Sequence, residues 1–217
     1  MMNEKQRGVD ILNRTYDACL NGIPKVSKPV EELANDYIKK YGYTDNAINN
    51  LVKNQIRKNT LNGFVTGFGG FATMPFTLPA NITSIIYVQM RMIAAIAIIR
   101  GYDLNDDEVQ TFVYSCIVGK SATDILKTSG IVVGNKVGQN VIKKIPGKAL
   151  LAINKKLGFR FITKFGTKGI INLGKAMPIV GAGVGSAFDY TTTKVIAHRA
   201  RKLFLTGGII DIDALSK

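Results

Sequence analysis

Thirty-two consecutive residues, Asn59 to Met90, carry no charge, and a run of that length limits what the rest of the chain can become. About 20 apolar residues suffice to cross a bilayer as a helix. Here Pro75, Pro79, Asn62 and Asn81 interrupt the run and break it into two shorter pieces. The expected form is a buried or re-entrant helical hairpin, in which irregular backbone is sheltered by protein. The bend falls at Met74 to Pro79, and the second limb runs as a helix from about Ala80 to Arg100, closed by Gly101. Gly63, Gly67 and Gly70 recur three or four residues apart, which lets the first limb approach another helix closely.

Elsewhere helical punctuation dominates. Ser27 is placed to cap a helix that holds Pro29, Glu31 and Glu32 in its first turn and stops at Gly42. Thr44 is placed to cap the next, with Ile48, Leu51, Val52 and Ile56 at helical spacing. Asn105 and Glu108 have the spacing of a capping box, opening a helix through Phe112, Val113 and Ile117 towards Gly130. A final helix is expected over about Val180 to Leu205, with His198, Arg199, Arg201 and Lys202 at the end where the helix dipole favours cations. The pattern predicts an all-α, compact multi-helix domain. At 217 residues and 46% hydrophobic content, one core and a single domain over 1–217 are expected, with 206–217 as a tail.

Charge is distributed unevenly. Residues 1–129 hold 14 Lys/Arg against 12 Asp/Glu, whereas residues 130–205 hold 14 Lys/Arg against Asp189 alone. The basic C-terminal helical region should face something anionic, phospholipid headgroups or nucleic acid. No recognised binding motif accompanies the charge, which disfavours nucleic acid. Within this region Lys156, Arg160, Lys164 and Lys168 step by four beside Leu157, Phe161 and Phe165. A continuous helix would carry adjacent cationic and apolar rows suited to a membrane interface, or it would be a core helix whose lysines reach out to water. Gly158, Gly166 and Gly169 weaken its continuity and suggest two shorter helices.

Reactive constellations are scarce. Cys19 and Cys116 are far apart without ligand spacing, so neither a disulfide framework nor a zinc site is expected, and a reducing cytosol fits. The polar N-terminus, Met1 to Asp10, lacks the pattern of a secretory signal. Val118-Gly119-Lys120-Ser121 ends like a phosphate-binding loop, but Tyr114 stands where the first glycine belongs. Gly181, Gly183 and Gly185 lack the full dinucleotide spacing and fit close helix packing better. His198, the single histidine, lies on a basic helical face, and the acids around Asp103 to Glu108 suit a helix start. No cofactor or metal is expected.

Two charges lie in apolar helices. Asn81, Ser84, Tyr87 and Arg91 form a narrow polar stripe, and Asp189 shares a face with Thr192 and Thr193. Unpaired buried charge costs several kcal/mol, so Arg91 and Asp189 are expected to meet. They would form either a register-fixing pair or a polar site lined by Asn81, Ser84, Arg91, Asp189 and Thr192 that receives a headgroup.

Together, Gly63 to Gly70, Leu78-Pro79-Ala80-Asn81, Arg91 to Ala97 and Gly101-Tyr102-Asp103 resemble the EcsC family. Met177 to Gly181, Phe188 to Thr192 and Ala200 to Phe204 add to the likeness, which spans about residues 10–205. The resemblance implies a bacterial, membrane-linked setting, since the family is named after an operon that also encodes an ABC transporter. It supplies no catalytic residues. Members often have Asp where this chain has Asn81, a departure that counts against any role needing a carboxylate there.

The expected function is a non-enzymatic protein, cytoplasmic and peripheral to or partly embedded in the inner membrane. It would bind anionic lipid and modulate a transporter or envelope complex, its oligomeric state left open. The alternative is a carrier of a lipid or other apolar ligand, and the third reading is a hydrolase-type enzyme using Asp189 or Asp103.

Overall fold

The computed structural model describes residues 4–60, 80–129, 136–166 and 182–216, with the side chains at 58–60, 80–83, 121, 128, 139 and 182–189 outside that description. The protein is mostly helical. Helices α1 (Glu4–Asn21), α2 (Val30–Tyr41) and α3 (Asp45–Thr60) precede α4 (Ala80–Ile99), α5 (Asp107–Val118) and α6 (Lys120–Thr128). A short strand β1 (Lys136–Gly138) leads into α7 (Gln139–Ile142) and α8 (Gly147–Phe165). After α9 (Ala182–Leu203) come β2 (Phe204–Leu205), β3 (Ile209–Asp211) and a 3-10 turn, Ile212–Leu215. The first limb of the expected hairpin, with Gly63, Gly67, Gly70, Pro75 and Pro79, lies outside the described residues, as does Lys168. Among the described residues no helix is long and apolar enough to cross a membrane.

Helix α4 occupies the centre. A helix that is apolar all round is stable only when surrounded, and α1, α2, α3, α5 and α9 all pack on it. Every residue from Ile93 to Ala97 is fully buried. Its end is local chemistry: Gly101 takes φ +85, open to glycine without strain.

The outer layer is set by α1 crossing α8. Gly8 and Gly158 face each other so closely that a Cβ on Gly8 would stand 2.0 Å from the Gly158 carbonyl oxygen, and one on Gly158 2.6 Å from the Val9 nitrogen. Gly158 therefore does not divide the segment. Helix α8 runs unbroken from Gly147 to Phe165 and stops at Gly166.

Several helix boundaries differ from the sequence expectation, each because a group found another partner. The Ser27 hydroxyl does not cap α2; it accepts from the Ile23 backbone N–H at 3.2 Å and lies 2.5 Å from the Tyr87 hydroxyl. Asn105 is not a cap either, because the Asp103 carboxylate draws its backbone and side-chain nitrogens into a turn at 2.9 Å. Helix α5 accordingly starts at Asp107. The helix expected to reach Gly130 breaks at Gly119, where φ is +73. The Thr44 cap is present, its hydroxyl accepting from the Ala47 N–H at 3.3 Å, and α2 ends at Gly42.

Residues 206–216 are not a loose tail. β3 pairs antiparallel with both β1 and β2, and Ile210, Ile212 and Leu215 are fully buried. The Tyr102 hydroxyl lies 2.9 Å from the Leu205 carbonyl and 2.7 Å from that of Ile209, pinning the hairpin to the end of α4.

Gly158→Ala should cost about 2–3 kcal/mol, since the added methyl meets backbone that cannot rotate away. Urea unfolding reads the loss; a change below about 0.5 kcal/mol would mean that α1 and α8 stand further apart than described.

Candidate functional site

Polar groups of α4 lie on two sides of the helix. Arg91, only 4% exposed, donates from Nη2 to the Lys28 carbonyl at 2.5 Å, at the entry to α2. Two turns nearer the helix start, Ser84 is also buried, at 5%. Tyr87, between them, meets Ser27 through its hydroxyl and accepts from the Cys19 thiol at its carbonyl, 3.7 Å. Across the helix, Gln89 Nε2 donates to the hydroxyls of Thr192 and Thr193, both at 3.3 Å. Thr192 therefore belongs with Gln89, a residue the sequence reading passed over, and not with Arg91. Asp189 stands one turn before these threonines on α9, but its side chain and that of Asn81 lie outside the described residues, as does the expected pairing of Asp189 with Arg91.

The row of cations on α8 is likewise divided. Leu157 and Phe161 are fully buried, with Phe165 half-buried and its ring centroid 5.2 Å from that of Phe161. Phe161 and Phe165 are therefore core residues and not an interfacial row. Lys164 is no headgroup contact either: its Nζ donates to the carbonyls of Ile117 at 3.0 Å and Val118 at 3.3 Å. Those are among the last carbonyls of α5, left without partners by the break at Gly119. Burial, with Arg199 nearby adding repulsion, holds the Lys164 ammonium down to about 8.

Lys156 and Arg160 do face outward. Around them the structure adds Lys148, Lys155 and, in the turn before α8, Lys143 and Lys144, all exposed. Leu151, 63% exposed, sits among them, and Val141, 55% exposed, stands near one end. The spacing of Lys148, Leu151 and Lys155 on one helical face was the signal that would have found this surface. Lys143 lies 3.4 Å from Asp106.

Other candidates have structural settings. Gly119 abuts Arg199, whose Nη1 would be 2.5 Å from a Cβ there, and a helix instead of a strand precedes Gly119-Lys120-Ser121. Asp103 is engaged by Asn105. Cys19 and Cys116 are free thiols, fully buried; burial raises both, Cys116 to about 12. Among the described residues no group of His, Cys, Asp and Glu has metal-holding geometry.

The Lys164 geometry makes a pH prediction. Its value falls from 10.5 in the unfolded chain to about 8 on folding, so between these the unfolded state binds more protons and stability rises with pH. Below about pH 8 the ammonium is charged in both states and the folded state carries the whole desolvation cost. Lys164→Met should remove this rise, a difference on the order of 1–3 kcal/mol across the window. Parallel urea-unfolding profiles for variant and wild type from pH 8 to 10.5 would show that the ammonium is solvated instead.

The uncharacterized protein YdbA of Bacillus subtilis (strain 168) is 25% identical over 172 residues, covering 77% of this chain and 58% of that protein. The chain thus spans little more than half the length of the curated relative it matches. No solved structure matches. The EcsC family model matches residues 24–206, from the α1–α2 loop to the turn after β2, and the chain therefore belongs to the EcsC protein family.

Proposed function

We propose that this protein acts by binding, without catalysis, at an anionic lipid surface on the cytoplasmic side of a membrane. It engages that surface through the outer face of α7 and α8 and works there on a transporter or another envelope complex. The observation that supports the reading is the exposed set Lys144, Lys148, Lys155, Lys156 and Arg160 around the exposed Leu151. No Asp or Glu occurs from Gly130 to Phe188 to offset it. Each cation near an anionic leaflet contributes about 1 kcal/mol, so five give between about three and four decades of partition. Burying Leu151 in the interface adds roughly 2 kcal/mol. The inward turn of Lys164 reduces the number of available cations without breaking the patch, because Lys148 and Lys155 lie on the opposite side of α8 and Lys156 and Arg160 stay exposed between.

Flotation with phosphatidylglycerol vesicles should recover the protein, whereas phosphatidylcholine vesicles should not, and high salt should release it. Replacing Lys148, Lys155, Lys156 and Arg160 together with Glu should abolish flotation, while Lys164→Met leaves it unchanged. Equal flotation of the quadruple variant, or indifference of the wild type to lipid charge, would sink the reading.

A further inference from the structure

Arg91 is a buried cation of unusual standing. The residue is 4% exposed, and its guanidinium donates once to the Lys28 carbonyl and leaves Nε without any hydrogen-bond partner. Among the described residues no carboxylate pairs with it. A guanidinium does not escape burial by losing its proton, and a neutral carbonyl compensates a buried charge far less well than an anion does.

The carbonyl it uses belongs to the loop between α1 and α2. That loop reverses through Lys25 at φ +64 and closes on itself through the Ile23–Ser27 bridge. A shallow, open depression lies on its surface, lined by Ile23, Pro24, Val26 and Pro29 and carrying the cation Lys25, while the Lys28 ammonium pairs with Asp36. Ser27 and Lys28 also line this depression, and they bind Tyr87 and Arg91. Displacing the Lys28 carbonyl would therefore open the depression to the guanidinium. An apolar lining, an exposed cation and a buried fork-shaped donor together match one kind of occupant.

We propose that the Ile23–Pro29 loop is the cover of a one-molecule site for an anionic amphiphile. The oxyanion of that molecule replaces the Lys28 carbonyl on Arg91 and its apolar part lies against Ile23, Pro24 and Val26. The site is separate from the outer face of α8, so the two are tested apart.

The full-length protein is titrated with dihexanoyl phosphatidic acid below its micelle concentration, followed by calorimetry and by backbone amide shifts. Dihexanoyl phosphatidylcholine and inorganic phosphate serve as comparisons. Saturation at one molecule per chain, with shifts centred on residues 21–29, is expected for phosphatidic acid alone. Arg91→Gln should weaken it by about tenfold or more, Lys25→Glu by several-fold, and the quadruple α8 variant not at all. Lys25 is exposed, so its variant decides the matter if Arg91→Gln does not fold. Absence of saturation would overturn the proposal, as would unchanged affinity in the folded variants. Phosphate binding as tightly as phosphatidic acid would show a free-anion site, and equal binding of phosphatidylcholine would show that Arg91 does not select; either result also overturns it.

Discussion

Helix α4 has no polar face wide enough to meet water, so the rest of the chain has to enclose it. Five helices do so, and the few polar groups on α4 then decide where each of them sits. Tyr87 and Arg91 bind the α1–α2 loop, Gln89 binds α9, and Arg100 at the far end bonds Asp45 at 2.6 Å and Thr206 at 3.0 Å. Apolar burial supplies most of the driving force, but it is non-directional and would tolerate a neighbour sliding by a turn. A buried donor left without its acceptor would not, since it costs about 1–3 kcal/mol. The register of the bundle is therefore written in a handful of hydrogen bonds on one apolar rod.

Enclosure also explains how the peripheral helices come so close. Cys116 in α5 lies against the Ile196 carbonyl of α9 at 3.8 Å, and Tyr16 of α1 stacks edge-on with Tyr114 of α5 at 5.8 Å while donating to the Leu104 carbonyl at 2.7 Å. With α1 fixed in this way against α5, the outer helix α8 packs on both only by backbone approach. Glycines at 8 and 158 permit it.

What was legible in the sequence was what local chemistry decides. Gly42, Gly101 and the Thr44 cap each follow from a residue and its immediate neighbours, and the mostly helical character follows from many such signals. The break at Gly119 was not legible, because it accompanies Arg199 packing there from a helix 80 residues away. Nor was the Gly8–Gly158 crossing, for neither glycine marks its partner. Ser27 and Asn105 have the right chemistry for caps, but Tyr87 and Asp103 compete for them. The C-terminal strand escaped notice because Ile209 to Leu215 is too short for a period to show.

The cationic row on α8 shows how a correct period leads to a wrong face. Residues four apart on an α-helix are not aligned but advance about 40° per step. Over two steps, from Lys156 to Lys164, the row turns about 80°, which brings Lys164 within about 20° of the buried Leu157. There its ammonium meets the open carbonyls of α5 while Lys156 remains in water. Formal charge in the C-terminal third therefore overstates the charge on any one surface: Lys164 is spent inside on a helix end, Arg199 is packed against Gly119, and Arg201 is drawn to Asn49 at 2.6 Å. Lys148, Lys155, Lys156 and Arg160 stay exposed on α8, so position on the helix, not abundance in the sequence, determines which of its cations face outward.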